Sequence, residues 1–293
     1  MGRAAALIAA GALAALVAAE AAAEKYARGL LWRVSRAGAP ASHVFGTIHL
    51  ADPRVLQIPE PVRKALAASR TYFMEVPFWE GHAHRMFEAA QYDDGRRLRA
   101  HMDEETFARV RALLAARGIA EDVIERLKPW AALANIAVTP AGYESETLDE
   151  RLLAAARAAR LRIQALEGTE EHIAVFEGIP LDTQLALLRH TVEHRDWLAA
   201  MIEPTVQAWL ARDLAAIRSV HRRVASHTPA MAPHYERFFR HVVDHRSVVM
   251  AHRLHLPLRA GGAFVAVGAA HLYGRSGLLA LIAKQGYRVE RVY

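Results

Sequence analysis

The sequence predicts an α/β protein in which a central mixed sheet is built from two pseudo-symmetric halves and carries a large helical insertion. Three observations predict it. Two apolar runs, residues 43–50 and 264–272, each climb through strand-forming residues to a glycine and place a histidine three residues later, Gly46 to His49 and Gly268 to His271. Two further apolar stretches, residues 71–77 and 161–168, carry the carboxylates Glu75 and Glu167. Residues 169–256 then read as helix with few interruptions, and the many Ala, Leu and Arg favour helix in most of the chain. Each half thus offers one strand ending in Gly-x-x-His and one carrying Glu, which suggests two related halves without any residue-level repeat. If the two histidine strands are sheet neighbours, their turns bring two imidazoles to one edge, where open α/β sheets keep their sites.

The elements follow in order. Residues 1–23 resemble a secretory signal, with Arg3 as the positive start, an apolar stretch over residues 4–19 and Ala21-Ala22-Ala23 as a small-residue cleavage site. An uncleaved anchor is the alternative, but the apolar stretch is shorter than the roughly 20 residues that span a bilayer. Either reading exports residues 24–293 as one unit, with a bacterial periplasm as the expected destination. Residues 30–35 alternate apolar and polar side chains, and Gly38-Ala39-Pro40 turns the chain back into residues 43–50, a hairpin signal. A short helix over 61–69 precedes the strand that Pro77 ends.

Residues 78–160 read as mostly helical. Asp103-Glu104-Glu105 opens one helix with acid at its positive end, and Lys128-Pro129-Trp130 restarts the chain after another. Thr147 and Glu150 have capping-box spacing. The long helical stretch is expected to break at Gly178-Ile179-Pro180, at Pro204 and at Thr228-Pro229. A helix over 276–285 and a strand over 287–293 close the chain.

Composition narrows the function. With 53% hydrophobic and 23% charged residues the chain is globular, and without cysteine it has no disulfide, thiolate ligand or cysteine nucleophile. The net charge of +6 is scattered arginine rather than a basic stripe, which argues against nucleic acid as a partner. No Gly-x-Ser-x-Gly elbow and no phosphate-binding glycine loop is present, which removes the common serine hydrolases and nucleotide-dependent enzymes.

Three histidine patterns remain. His49, His271, Glu75 and Glu167 all fall at strand ends, and two neutral imidazoles with one or two carboxylates suit a divalent metal such as Zn, Mn, Fe or Co. For Glu75 alone, a strand-end salt bridge with an arginine explains the residue equally well. His190-Thr191-Val192-Glu193-His194 matches an inverted zinc-peptidase motif, yet lies among Arg189, Arg195 and Asp196 and reads as a solvated helix face. Gly81 to His84 is a third Gly-x-x-His with no strand before it. Such spacing arises about once by chance in a chain with 17 Gly and 16 His.

The ordered motifs resemble the TraB/GumN family. They are Leu31-Trp32-Arg33-Val34-Ser35, residues 44–50, Phe73-Met74-Glu75-Val76, Lys128-Pro129-Trp130, Leu148-Asp149, Ala165-Leu166-Glu167, Ile179-Pro180-Leu181, Gln184-Leu185, residues 265–272 and Gly286-Tyr287. That family is similar to Tiki-type metalloproteases and, more distantly, to erythromycin-esterase and ChaN-like proteins. The resemblance implies a divalent metal held by His49, Glu75 and His271. It also implies an Arg-Asn pair in the last long helix, of which Arg246 is present and Ser247 replaces the Asn. The expected function is metal-dependent hydrolysis of a peptide or small molecule. Glu75 serves as ligand or base, Glu167 supports the site or acts as alternate base, and Arg246 steadies the oxyanion. The competing expectation is a protein that sequesters a peptide signal or a metal in the same cleft without turnover.

Overall fold

Six strands form one mixed sheet in the order β4-β3-β5-β2-β1-β6: β1 (Leu31–Ser35), β2 (Ser42–Thr47), β3 (Thr71–Met74), β4 (Arg162–Ala165), β5 (Ala263–Gly268) and β6 (Arg288–Arg291). The structure is a computed structural model that describes residues 24–77, 80–137 and 146–293, and the signal-like segment over 1–23 lies outside the described residues. The expected hairpin is present: β1 runs antiparallel to β2, and β6 pairs antiparallel on the other edge of β1. The remaining neighbours, β2 with β5, β5 with β3 and β3 with β4, are all parallel. Four strand C-termini therefore lie side by side along one edge of the sheet.

Why these runs form central strands follows from their burial. All six residues of β5 are buried, as a strand covered on both faces requires, whereas β4 alternates exposed and half-buried residues as a sheet edge does. Tyr72 and Phe264 stack across the β3–β5 pair with centroids 6.0 Å apart, and Phe45 packs against Trp209 of the helical insertion at 6.4 Å. The Trp209 indole also donates to the Gly46 carbonyl at 3.0 Å, which fixes the helix Ile202–Leu210 to the sheet at the first histidine turn.

The helical stretch between β4 and β5 is present as a chain of helices, with the expected breaks at Gly178–Pro180 and Thr228. Pro204 sits in the first turn of Ile202–Leu210, where its missing N–H costs nothing, so the break falls at Met201 instead. A π-helical segment, Arg240–His245, runs directly into the helix Arg246–Arg253. Thr147 and Glu150 make both bonds of the capping box at the start of Leu148–Ala158. Asp103 caps Glu104–Ala115 by accepting from the Thr106 amide. Around Leu98, Phe107, Leu114, Ile124 and Trp130 the helices after β3 close a second hydrophobic core, joined by Leu188 of the insertion and separate from the one on the sheet. Among the described residues no helix is long and apolar enough to cross a membrane.

Candidate metal centre and active site

The two Gly-x-x-His strands are neighbours, but their glycines are out of step. Gly46 pairs with Val267, and Gly268 pairs with Thr47. Side chains alternate along a strand, so this one-residue stagger turns the two glycines to opposite faces. A Cβ on Gly46 would meet Leu272 Cδ1 at 2.8 Å and Ala269 at 3.2 Å, so this glycine lets the second turn pack closely on β2. A Cβ on Gly268 would come within 3.1 Å of His49 Nε2, 3.2 Å of Glu75 Oε1 and 3.7 Å of His271 Cδ2. Gly268 thus leaves the space in which the polar side chains meet.

Glu75 follows β3 and Glu167 follows β4, and the Glu167 amide donates to the Glu75 carbonyl at 2.8 Å, extending that pairing to the site. The Glu75 carboxylate is buried and divides its two oxygens: Oε1 accepts from the Gly268 amide, and Oε2 accepts from Arg246 Nη2 at 2.7 Å. Arg246 also donates through Nε to Glu167 at 2.9 and 3.1 Å. One guanidinium is therefore clamped between two buried carboxylates, 7% exposed itself against 9% and 4% for its partners. Burial alone would push the Glu75 carboxyl up, but His271, His49 and Arg246 hold it well below the usual carboxylate range. Burial opposes Glu167 in the same way, and His172 and Arg246 keep its carboxyl low.

Both histidines have one ring nitrogen anchored. His49 Nδ1 lies 2.8 Å from Asp149 Oδ2, while Thr47 donates to the other oxygen of Asp149 at 2.7 Å. Asp149 pushes the His49 imidazole well above its usual pKa. His271 Nδ1 lies 3.2 Å from the Val243 carbonyl and 3.0 Å from Ser247 Oγ, whose own hydroxyl donates to Val243 at 2.8 Å. Burial, with Arg246 and His49 nearby, pushes the His271 imidazole down and keeps it neutral. The network assigns its proton to Nδ1, so Nε2 carries the lone pair. The two Nε2 atoms face one carboxylate, His49 at 3.7 Å from Oε1 and His271 at 3.6 Å from Oε2.

Whether these residues fit a metal is a question of donor chemistry. Among the described residues no group of three or more His, Asp or Glu side chains is arranged so that it could hold a metal ion. The donors nonetheless have the character of ligands. An imidazole whose Nδ1 is held by a carboxylate or carbonyl presents Nε2 to a metal; the His49 ring, its pKa driven up, meets Glu75 as a cation itself, whereas the neutral His271 Nε2 lone pair faces Glu75 Oε2 and is repelled unless a cation stands between them. Arg246 Nη1, 3.4 Å from His271 Nε2, is the cation that stands there in this structure.

Of the residues singled out in the sequence, His49, Glu75, Glu167, Arg246 and His271 come together, and the salt-bridge reading of Glu75 is present alongside them. The His-x-x-Glu-His motif stays apart, and the expectation of a solvated face is wrong for His190. That residue is 3% exposed, with Nδ1 3.1 Å from the Tyr235 hydroxyl and Nε2 3.0 Å from Thr228 Oγ1. Both ring nitrogens are used inside the helical core, which the flanking arginines hid. His84 lies on the helix Glu80–Ala89, exposed and paired with Glu88.

Sequence reasoning missed Asp149 and Thr47. An acid in the first turn of a capped helix is ordinarily a surface residue, and only the Leu148-Asp149 motif marked it. It also missed the π segment, whose Val243 carbonyl anchors both Ser247 and His271; π turns recur at functional sites.

Comparison with known proteins places the chain in a family. The chain is 26% identical over 323 residues to the metalloprotease TIKI2 of Danio rerio, covering 91% of this chain and 61% of that protein, so it spans about three fifths of the relative. No solved structure matches the chain. The profile of the TraB/PrgY/gumN family matches residues 30–291, nearly the whole of the described chain, and the protein belongs to that family.

Proposed function

We propose that the protein is an exported hydrolase, dependent on a divalent metal, that cleaves a peptide bond. The observation that carries the reading is the pair of imidazoles with anchored Nδ1 atoms, whose two Nε2 atoms lie 3.7 and 3.6 Å from the two oxygens of Glu75. The metalloprotease relative supports the same class. His49, His271 and Glu75 are the residues that would hold the metal, with Asp149 and the Val243 carbonyl orienting the two rings. When bound, the ion supplies Lewis acidity to a scissile carbonyl and acidifies a water.

The residues around it divide the remaining work. A carboxyl held far below neutrality is a poor proton acceptor and a good ligand, which favours ligation for Glu75. Glu167 lies behind Arg246 and takes both of its Nε contacts, so it positions that guanidinium rather than acting as a base. Arg246, fixed from two sides, is placed to donate to an oxyanion beside His271. The one-residue departure, Ser247 for the family Asn, is accommodated because its hydroxyl reaches both His271 and the π-segment carbonyl. The likeness of residues 1–23 to a secretory signal supports export.

The test is turnover. The protein loaded in turn with Mn, Co, Fe or Zn is incubated with a peptide library, and products are read by mass spectrometry. Cleavage that a chelator abolishes and metal restores is the expected result; peptide binding without cleavage would replace hydrolysis with sequestration. Glu75→Gln is expected to lose both metal and turnover, and retained metal with lost turnover would assign Glu75 the proton transfer instead.

A further inference from the structure

Three of the motifs that carry the family resemblance lie away from the metal centre, and the fold brings them to one place. Trp130 of Lys128-Pro129-Trp130, Ile179 of Ile179-Pro180-Leu181 and Gln184 of Gln184-Leu185 all line a cavity of about 430 Å³ in the helical region. That size is in the range of pockets that enclose small molecules. None of His49, Glu75, Glu167, Arg246 or His271 lines it. Gln184 ties the three motifs together: its Oε1 accepts from the Trp130 amide at 3.0 Å, and its Nε2 donates to the Ile179 carbonyl at 2.6 Å. The backbone at this corner is therefore met, but the Trp130 indole is not.

Two polar atoms on residues of this wall are left open. The Trp130 indole Nε1–H has no hydrogen-bond partner among the described residues, and Trp130 is 5% exposed, so bulk water does not serve it. His221, from the helix Leu214–His227, also lines the cavity and keeps a buried Nδ1 without a partner. An unmet buried polar atom is costly, and native proteins keep few of them. Two on the wall of one cavity are the signature of a partner that arrives with a ligand.

The chemistry of that ligand follows from the wall. Burial, with Arg218 nearby, pushes the His221 imidazole down to about 4, so the ring is neutral at pH 7 and both open atoms belong to uncharged groups. Of the two arginines on the wall, Arg117 already donates to the Ile136 carbonyl at 3.4 Å, and Arg195 is exposed and hydrated. A neutral acceptor matches an indole N–H without the desolvation cost of burying an ion. Rings supply much of the remaining surface: Trp130 stacks on Phe176 with centroids 5.2 Å apart, and Tyr235 and Phe238 face the same space. Flat aromatic molecules pack well against such faces. His221 also lines an open groove on the surface, where it stacks on Phe239 at 4.9 Å, so this ring borders both the cavity and a route to it.

We infer that this cavity binds a neutral, mainly aromatic small molecule with one carbonyl acceptor, of the aryl ketone class, whose oxygen meets the Trp130 indole N–H while its rings lie against Phe176 and Phe238. The site is separate from the proposed metal centre and does not rest on its chemistry.

The experiment uses 2-acetylnaphthalene as probe in equilibrium dialysis against the whole metal-free protein. The comparison is 2-isopropenylnaphthalene, which keeps the shape and replaces the carbonyl oxygen by CH₂. Saturable one-to-one binding of the ketone, about tenfold tighter than the hydrocarbon, is expected. Trp130→Phe keeps a ring against Phe176 but removes the donor, and is expected to weaken the ketone about tenfold while leaving the hydrocarbon unchanged. Val224→Trp fills the space from the helix Leu214–His227 and is expected to abolish binding of both, with circular dichroism confirming the fold of each variant. The two ligands of equal shape decide the donor's part in the parent protein even where a variant folds poorly. Equal affinity for ketone and hydrocarbon, tighter binding of the anion 2-naphthoate than of the ketone, undiminished ketone binding in folded Trp130→Phe or Val224→Trp, or no binding of the ketone would each overturn the assignment.

Discussion

The two Gly-x-x-His turns share a spacing and a sheet edge, yet their histidines live in opposite environments. The His49 side chain is 58% exposed, backed by Asp149, and its pKa is driven up. The His271 side chain is 6% exposed, backed by a carbonyl and a serine hydroxyl, faced by Arg246, and its pKa is driven down. The same tetrapeptide spacing therefore yields one imidazole that prefers its proton and one that refuses it. What differs is the partner of Nδ1 and the nearest cation, and both come from remote elements. Asp149 belongs to the helix Leu148–Ala158, and Arg246 to the helix after the π segment.

The contrast breaks most severely if Arg246 is removed. Arg246→Ala leaves Glu75 and Glu167 buried without their shared cation, a loss of about 3–5 kcal/mol in urea unfolding, and the pKa of His271 is expected to rise as its positive neighbour disappears. A cost below about 1 kcal/mol would show that the clamp is not the fixed feature described.

Replacing the two histidines separates stability from ligation. His271→Gln disturbs a buried ring with partners on both nitrogens and is expected to cost about 1–3 kcal/mol, whereas His49→Gln, at a largely exposed ring, costs less than about 1 kcal/mol. Both variants are expected to lose metal, as read by elemental analysis of the folded proteins. Full metal occupancy in either would mean that the two turns do not share an ion.

Titration sharpens the contrast further. In metal-free protein, NMR is expected to place the His49 pKa above the ordinary 6.5 and that of His271 below it. The signs follow from linkage. The His49–Asp149 pair stabilises the fold fully below pH 6.5 and loses that contribution as pH rises through the higher folded value. His271 acts the other way: its contribution is present above pH 6.5 and is lost as pH falls through the lower folded value. Asp149→Asn is expected to return His49 toward 6.5 and leave His271 almost unmoved. A His49 pKa unchanged in that variant would remove Asp149 as the cause.

The smallest effect belongs to the third copy of the spacing. His84→Gln changes an exposed residue on a helix and is expected to stay within about 0.5 kcal/mol of the parent, with metal content unchanged. Loss of metal there would move the centre off the sheet edge.

Taken by itself, the sequence determined the strands and the residues at their ends, because both signals are local. Apolar runs of β length bounded by glycine, proline or a turn specify β2, β3 and β5, and a carboxylate inside such a run specifies Glu75 as a residue needing a cation. Capping chemistry was equally local, at Asp103 and Thr147. The tertiary structure alone decided which residues face which. The stagger that turns Gly46 toward the second turn and Gly268 toward the site is a property of strand pairing, and no single strand encodes it. Asp149 reads as an ordinary first-turn acid until its helix packs against Thr47 and His49, and His190 reads as solvated until Tyr235 and Thr228 close over it. The physical reason is the same in each case. Periodicity and turn chemistry act over a few residues, whereas burial and charge pairing are set by neighbours a hundred residues away, which exist only once the sheet and its helices have assembled.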